Sequence, residues 1–351
     1  MIPCLSYLGD TMEIFSSIAP TRIDLAGGTL DIAPLFHILD NPCTVNLAVT
    51  LHAQVKIRIV DTEFYTVRSL DQQQEVTFNW SDVVDDEKLL WPRLLIQKLW
   101  DKDLPTFEME IEAKSPSGAG LGGSSCLGIA IAGVLDRARQ HYLNSDLLSE
   151  LALVQLVQGC ETKLIRVPTG CQDYWGGLRG GLNILEFPED GLRIDTLRSE
   201  LVEGLAEDLI LCYSGKSRAS GTNNWLIFKQ AFDGDRRVLD GLNEIARVAS
   251  DMASAVRRSD REAIFALSSE EWSIRKGLWP SIETTETRRL SEAAHLAGAT
   301  LARVCGAGGG GVMAIFCRKD VREGVINSLI ENGGQILSGQ ASAEGLQTYK
   351  G

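Results

Sequence analysis

The chain has few of the residue groups that bind metals or nucleic acids on their own. Its 351 residues include four scattered histidines, and its eight cysteines form no Cys-x-x-Cys pair, so no zinc-site spacing is present. Lysine and arginine total 34 against 47 acidic residues, which gives a formal net charge of −13. Because nucleic-acid binding depends on clustered basic residues, this charge argues against a nucleic-acid partner. It also argues against attraction to an anionic membrane surface.

Long apolar runs are absent as well. The longest, near residues 127–135, is far too short to span a bilayer. The first basic residue is Arg22, so we expect no secretory signal peptide. Cysteines spread through apolar contexts suit a reducing compartment, and we expect a cytoplasmic protein. The hydrophobic content of 44% and charged content of 23% are those of a globular chain with room for two domains.

Glycine, by contrast, is concentrated in short stretches, the first of them between a strand and a helix. Residues 115–128 read SPSGAGLGGSSCLG, preceded by the alternating strand pattern of 107–113 and followed by helical periodicity from Ser124. A helix N-terminus offers free N–H groups, and glycines let a phosphate approach them closely. The stretch therefore predicts a phosphate-binding loop. On this loop alone, a strand-to-helix turn capped by serine stays open as the alternative.

Two other nucleotide motifs fit less well. GAGLGG (118–123) matches the G-x-G-x-x-G dinucleotide motif, which would indicate an NAD(P)-dependent oxidoreductase. That motif follows a buried parallel strand, whereas the strand at 107–113 carries three alternating glutamates and has one wet face. SGKS (214–217) ends like a Walker A motif, but Ile210 stands where that motif needs glycine.

The remaining pattern predicts a mixture of strands and helices. Nearly regular alternation over 45–59 predicts a long strand, or a bent pair of strands, with one wet face. Shorter strands are predicted at 182–187 and 209–213. Ser145 is the predicted N-cap of a helix that runs to about Glu161. Further helices are predicted near 236–257, 284–297 and 319–332, with a strand, loop and strand over 301–316.

Two more glycine-rich segments accompany the first. APTRIDLAGGTLDIAP (19–34) carries Arg22, Asp24 and Asp31 around a glycine turn, and CGAGGGGV (305–312) lies between two apolar strands. In this order the three segments resemble the three motifs of the GHMP kinase superfamily, which includes galactokinase, homoserine kinase, mevalonate kinase and phosphomevalonate kinase. The matches run from Ala19 to Val312.

A fourth segment, PTGCQDYWGGLRGGLNILEF (168–187), resembles the sugar-1-kinase branch, which contains D-glycero-D-manno-heptose 7-phosphate kinases and L-fucokinases. SGKSRASG (214–221) is similar to a segment of the heptose kinases. Gly123 stands where serine is common in the phosphate loop, and Tyr174 follows Gln172-Asp173 where the heptose kinases have glutamine. In the first segment, GGTLD (27–31) stands where the heptose kinases have G-G-G-T-D. These departures lie at the acceptor pocket and leave the sugar open.

The resemblance implies an α+β fold of two domains. We expect an ATP-binding N-terminal domain over 1–190, with a mixed sheet and the phosphate-loop helix, and a ferredoxin-like α/β sandwich over 191–351. The implied activity is Mg²⁺- and ATP-dependent phosphorylation of a sugar or sugar phosphate at its anomeric hydroxyl, with a heptose 7-phosphate or fucose-like acceptor. A kinase for a non-sugar alcohol such as mevalonate and a non-catalytic binding protein are the alternatives. A homodimer is left open.

The resemblance also implies residue roles. Asp173 would take the proton of the acceptor hydroxyl or orient it, and Arg22 would stabilise charge on the γ-phosphoryl group. Ser124 and Glu161 would hold Mg²⁺, with Ser125 as the alternative hydroxyl. The nucleotide-binding loop would comprise Pro116, Gly118, Ala119, Gly120, Leu121, Gly122, Gly123, Ser124 and Ser125. The expected acceptor-binding residues are Asp31, Gly27, Gly28, Gln172, Lys216, Arg218, Gly308 and Gly309. Lys216 and Arg218 are included because paired cations in an acidic chain suit a substrate phosphate.

Overall fold

The computed structural model describes residues 13–82, 89–216 and 221–351 of the chain. In chain order, the first half contains β1 (Ile14–Ala26), β2 (Cys43–Ile59), β3 (Tyr65–Ser69), β4 (Gln74–Phe78), α1 (Leu90–Leu99), β5 (Phe107–Ala113), α2 (Gly123–Leu143), α3 (Glu150–Ile165), α4 (Gln172–Arg179), β6 (Leu182–Glu186) and β7 (Arg193–Leu197). The second half contains α5 (Glu200–Asp208), β8 (Leu209–Tyr213), α6 (Gly221–Phe232), α7 (Arg236–Arg257), α8 (Arg261–Leu278), α9 (Thr285–Leu296), β9 (Leu301–Val304), β10 (Val312–Phe316), α10 (Arg322–Glu331), β11 (Gln335–Leu337) and β12 (Gln347–Lys350).

Eight strands form a mixed sheet. Its main path runs β12-β1-β2-β5-β3-β4, while β6 pairs with the first part of β2 and β7 pairs with β6. β3 and β5 are parallel, and the other pairs are antiparallel. Helices α1 to α4 contribute to the apolar core on this sheet. The predicted mixed sheet with a phosphate-loop helix is confirmed.

The long strand predicted at 45–59 is β2, but the single wet face is only half correct. Residues 50–58 alternate between buried and more exposed positions, as the pattern indicates. Residues 43–49 are buried on both faces. The polar side chain of Asn46 belongs to this buried part, because α4 covers it and the Gln172 carbonyl accepts a hydrogen bond from its Nδ2.

The N-terminus of α3 differs from the prediction. The helix begins at Glu150, and Ser149 rather than Ser145 is its N-cap: the Ser149 hydroxyl accepts a hydrogen bond from the Ala152 amide at 3.2 Å. Both serines precede an apolar periodic segment, so composition alone does not distinguish them. A hydroxyl caps a helix only from the position where the backbone is extended, as it is at Ser149.

The second sheet has four antiparallel strands in the order β11-β8-β10-β9. Numbered along this part of the chain, the order is fourth, first, third, second, with helices between the first and second strands and between the third and fourth. This is the ferredoxin-like arrangement that was predicted. Helices 236–257 and 284–297 are confirmed as α7 and α9, and 319–332 corresponds to α10.

The first sheet includes strands from both sides of residue 190, so one division of the chain does not separate the two sheets. β7 lies beyond residue 190 but pairs with β6, and β12 returns to pair with β1. The division at residue 190 stays a prediction. Within the described residues, no helix combines the length and apolar character that crossing a membrane requires.

Candidate active site

A cleft of about 460 Å³ lies where the three glycine-rich segments meet. β1 and the turn after it supply one wall, the loop before α2 supplies a second, and the start of α4 supplies a third. The sequence-predicted residues that line it are Arg22, Gly28, Asp31, Pro116, Gly118, Ala119, Gly120, Gly122, Gly123, Ser124, Ser125, Glu161, Gln172 and Asp173. Residues spread over 150 positions of sequence thus share one cavity.

The helix that opens into this cleft begins without a side-chain cap. Gly122 is the N-cap, with φ of +69°, and as a glycine it has no side chain to accept a hydrogen bond from the first turn. The first helical bond runs from the Cys126 amide to the Gly122 carbonyl, so the amides of Gly123, Ser124 and Ser125 precede it. The serine-capped turn, the alternative left open by the sequence, is therefore not formed. The free amides and the positive end of the helix dipole suit an anion.

The third glycine-rich segment packs beneath the first. The Val312 amide donates to the Ala119 carbonyl at 2.8 Å, and a methyl group on Gly306 would lie 2.6 Å from the Gly120 carbonyl oxygen. Glycine at 306 is required because both its left-handed φ of +67° and this close approach exclude a side chain. The loop 305–311 thus supports the shape of the phosphate loop.

Arg22 and Asp173 form the central ion pair of the cleft. The Arg22 Nε donates to Asp173 Oδ1 at 2.7 Å, its Nη2 contacts the same oxygen, and its Nη1 donates to the Gly120 carbonyl at 2.8 Å. The Arg22 side chain is 5% exposed. Burial by itself would lower the pKa of this guanidinium, but the carboxylates of Asp173 and Asp24 outweigh that and raise it. Arg22 therefore ties the carboxylate of α4 to the phosphate loop.

The second oxygen of Asp173 faces the mouth of α2. A methyl group on Gly122 would lie 2.9 Å from Asp173 Oδ2, and within the described part of the chain no group donates to that oxygen. Asp173 thus has one oxygen fixed by Arg22 and the other free to accept a proton or a hydrogen bond beside the helix N-terminus.

Glu161 lies next to this mouth with a set of hydroxyl donors. The hydroxyls of Ser125 and Tyr174 each donate to Glu161 Oε2 at 2.8 Å, and the Ser124 hydroxyl lies near this carboxyl. Burial raises the pKa of Glu161, and the neighbouring hydroxyls act against that rise. Burial likewise raises the pKa of Tyr174. Ser124 is exposed at the mouth, whereas Ser125 is buried.

These groups fit a magnesium ion that also binds phosphate. Among the described residues, no three His, Cys, Asp or Glu side chains come close enough to cage a metal ion. Mg²⁺ needs no such cage, because it binds through one or two carboxylates together with phosphate oxygens and water. A serine that donates its proton to Glu161 keeps its oxygen lone pairs available. The donors are all hard oxygens, as Mg²⁺ prefers.

Asp31 lines the cleft beside the start of α4. Its Oδ2 accepts a hydrogen bond from the Gln172 backbone amide at 2.8 Å, and its side chain packs directly on Gly170, where no Cβ would fit. Burial raises the pKa of Asp31 to about 6; the Asp173 carboxylate adds to the rise, while the Gln172 amide and Arg22 oppose it. Gln172 is 5% exposed, and its side-chain Oε1 is buried with no donor among the described residues.

Other predicted acceptor residues lie outside the cleft. Lys216 is 60% exposed and pairs with Glu286 at 2.6 Å. Gly309 donates its amide to the Ile282 carbonyl, and Gly308 packs on the same residue, so Gly306 and Ala307 line the cleft instead. Gly27 packs its left-handed turn against the Cys43 carbonyl, and Leu121 turns its carbonyl to the Arg22 amide; neither lines the cleft. Arg218 lies outside the described residues.

A buried ion network beneath the cleft had no sequence signal. Arg303 pairs with Asp24 and Glu271, both at 3.0 Å, and Glu271 also pairs with Arg275. The four side chains are at most 3% exposed. Asp24 Oδ1 in turn accepts the Gly306 amide at 2.7 Å. Glu271 and Arg275 lie one turn apart on α8, but only the fold brings this pair to Asp24 and Arg303.

The comparison with known families agrees with this geometry. Residues 91–181 match the GHMP kinases N terminal domain, and residues 252–335 match the GHMP kinases C terminal domain. The chain belongs to the GHMP kinase family. It is accordingly an enzyme of the phosphotransferase class.

Individual relatives are distant but extend over most of this kinase. It is 23% identical over 347 residues to the D-glycero-alpha-D-manno-heptose 7-phosphate kinase of Campylobacter jejuni, which covers 97% of this chain and 100% of that protein. It is 25% identical over 296 residues to the L-fucokinase/L-fucose-1-P guanylyltransferase of Bacteroides fragilis, covering 74% of this chain and 30% of that longer protein.

Solved structures of the family share the fold. A D-glycero-D-manno-heptose 1-phosphate kinase from Bacteroides thetaiotaomicron superposes with a TM-score of 0.74 at 20% identity, over 95% of this chain and 98% of that one. A mevalonate kinase superposes with a TM-score of 0.73 at 16% identity, over 93% of this chain and 99% of that one. The near-equal scores mean that the fold does not distinguish sugar from non-sugar acceptors.

Proposed function

We propose that the chain is a Mg²⁺- and ATP-dependent cytoplasmic sugar kinase that phosphorylates the anomeric hydroxyl of a heptose 7-phosphate or a fucose-like sugar. The observation that carries the proposal is the Arg22–Asp173 pair at the uncapped mouth of α2, with the free Asp173 oxygen facing that mouth. A phosphate-binding helix end and a carboxylate beside it are what phosphoryl transfer to a hydroxyl requires.

In this proposal the backbone amides of residues 118–124 bind the β- and γ-phosphates. The acceptor oxygen forms a bond to the γ-phosphorus while the bond from that phosphorus to the β–γ bridging oxygen breaks, and ADP leaves with the electron pair. Asp173 receives the proton of the acceptor hydroxyl or orients that hydroxyl through Oδ2. Arg22 holds Asp173 in place and offsets negative charge at the transferring group.

Glu161 with Ser124 or Ser125 would hold the magnesium ion. Bound there, Mg²⁺ would neutralise phosphate charge and align the triphosphate. The chain's own contribution is to place one buried carboxylate and the hydroxyls of Ser124 and Ser125 beside the first turn of α2.

Three observations support the proposal that the acceptor is a sugar. They are the resemblance of the fourth sequence segment to sugar-1-kinases, the sugar kinases among the similar proteins, and the polar character of the cleft near Asp173. The Asp31 carboxyl is a hydrogen-bond acceptor there, and it suits a ligand that donates hydroxyl protons. Sequence similarity to the Campylobacter enzyme favours a heptose 7-phosphate, and similarity to the Bacteroides fragilis protein favours a fucose-like sugar.

The test is ADP release from Mg²⁺-ATP with a panel of D-glycero-D-manno-heptose 7-phosphate, L-fucose, D-galactose and mevalonate. We expect turnover with one of the two favoured sugars and its loss in D173N. D251N is the matched control, because Asp251 also pairs with an arginine but lies exposed on α7. Turnover of mevalonate alone would contradict a sugar acceptor and indicate a kinase for a non-sugar alcohol. ATP binding without any turnover would favour a non-catalytic protein.

A further inference from the structure

Asn224, near the start of α6, lines the cleft together with Thr29 and Asp31. We call this part of the cleft, where the proposed function places the sugar, the acceptor end. No motif points to this residue, and it comes from the half of the chain beyond β8. Its side-chain Oδ1 accepts a hydrogen bond from the Thr29 hydroxyl at 3.0 Å. The contact joins α6 to the turn that carries Asp31.

The orientation of the Asn224 amide follows from the bonds of Thr29. The Thr29 oxygen also receives a hydrogen bond from Arg275 Nη1 at 3.3 Å, and a guanidinium can only donate. Thr29 is 4% exposed, so its own proton needs a protein acceptor. Asn224 supplies one only when its oxygen faces Thr29. The amide nitrogen must then face away from Thr29.

Arg275 is itself held in place. Its Nη2 donates to the Gly28 carbonyl at 2.7 Å, and its Nε donates to Glu271 Oε1 at 3.0 Å within the buried ion network. Thr29 has φ of +82°, which is strained for a β-branched residue. The turn at Gly28 and Thr29 therefore keeps a costly conformation that Arg275 and Asn224 support.

Within the described part of the chain, nothing accepts a hydrogen bond from Asn224 Nδ2. The acceptor end of the cleft thus presents one amide donor, Asn224 Nδ2, alongside one acceptor, the Asp31 carboxyl. A polyhydroxylated ligand satisfies both, because each hydroxyl both donates and accepts.

We propose that Asn224 is a specificity-determining residue whose amide N–H donates to an oxygen of the acceptor sugar. Thr29 and Arg275 are positioning residues that set the direction of this amide. The inference rests on the proposed sugar kinase activity and adds a contact from the second half of the chain.

Four variants test it in steady-state kinetics with the sugar that the wild type phosphorylates. N224A removes the donor. N224D keeps the oxygen for Thr29 but replaces the donor by a second oxygen. T29V removes the orienting hydroxyl at nearly constant shape, and T29S restores it. N243D on α7 is the matched control, since Asn243 also uses its Oδ1 to accept a backbone amide, that of Asp40.

We expect N224A and N224D to raise KM for the sugar by about tenfold or more, the value of one lost hydrogen bond. KM for ATP should stay within about twofold of the wild type, as one contact at the acceptor end does not reach the phosphates. T29V should raise the sugar KM as well, and T29S and N243D should behave as the wild type.

A wild-type sugar KM in N224D would overturn the inference, even if N224A is impaired, because Asn224 would then serve only to hold Thr29. An unchanged KM in N224A would overturn it as well. Failure of the proposed function is distinguishable, since it appears as absence of sugar turnover in the wild type itself.

Discussion

Gly122 and Asp173 lie so close that a methyl group on Gly122 would be 2.8 Å from Cγ of Asp173. Gly122 is the last residue before α2, and Asp173 is the second residue of α4. The helix mouth and the carboxylate therefore border one small space. A group held on the amides of α2 is placed beside the carboxylate without any side chain between them.

The first prediction concerns this close approach. G122A should lower kcat/KM by at least about 10²-fold, because the new methyl must displace Asp173 and because alanine is strained at φ of +69°. G159A is the matched control: Gly159 lies in α3 with open space around it, and alanine there should stabilise the helix by about 0.5–1 kcal/mol. Kinetics and thermal unfolding of both variants give the answer. Equal activity of G122A and the wild type would contradict the arrangement.

Replacing Arg22 tests whether its geometry, beyond its charge, is required. R22K keeps the positive charge, but one ammonium group cannot hold both Asp173 and the Gly120 carbonyl as the guanidinium does. We expect kcat to fall by about 10²-fold or more. R247K, at an exposed pair on α7, should leave kcat unchanged. A fully active R22K enzyme would mean that charge alone suffices.

The magnesium site is tested by titrating activity with Mg²⁺. Activity should disappear when the metal is chelated, and E161Q should raise the Mg²⁺ concentration for half-maximal activity by about 10–100-fold. Comparing S124A with S125A identifies the hydroxyl that takes part. E286Q, which removes a partly exposed carboxylate that is paired with Lys216, is the control. If E161Q needed the same Mg²⁺ concentration as the wild type, Glu161 would not be a ligand of the metal.

The raised pKa of Asp31 predicts that pH affects sugar binding and the stability of the folded state in opposite directions. Burial raises its pKa to about 6 from 3.8. Because the folded state holds this proton more tightly, the stabilising contribution is complete below pH 3.8 and is lost as the pH rises through about 6. D31N cannot ionise, so at pH 8 it should be more stable than the wild type by on the order of 2–3 kcal/mol, and the difference should vanish near pH 4.

Sugar binding should change in the other direction. The carboxylate is the better acceptor for sugar hydroxyls, so the wild-type KM for the sugar should rise as the pH falls through about 6, while that of D31N should be higher at pH 8 and change little with pH. Chemical unfolding at pH 4 to 8 and sugar KM over the same range measure both effects. If D31N were less stable than the wild type at pH 8, burial of the Asp31 carboxylate would not destabilise the folded state as inferred from its pKa.

The sequence predicted those parts of the fold that depend on local pattern. Helical periodicity after Ser124 placed α2, and alternation placed β5 and most of β2. The wet face of β2 was wrong at Asn46, because what covers a strand depends on α4, more than a hundred residues away. The pairing of β12 with β1 likewise joins the two ends of the described chain, and no local pattern records it.

The candidate site divides in the same way. The glycines themselves predicted a phosphate-binding loop, whereas the roles proposed for Arg22, Glu161 and Asp173 came from resemblance to a family. Lys216 had the right charge, but the fold pairs it with Glu286 instead of the cleft. Asn224 and Arg275 reach the acceptor end from helices with no motif, and only their contacts with Thr29 reveal them.

The central claim is that the amides at the start of α2 bind the triphosphate beside Asp173. A crystal structure with Mg²⁺ and a non-hydrolysable ATP analogue tests it most directly. We expect β- and γ-phosphate oxygens within hydrogen-bond distance of the amides of residues 118–124, with the γ-phosphorus next to Arg22 and Asp173. A bound analogue whose phosphates lie elsewhere, with those amides left unpaired, would contradict the account.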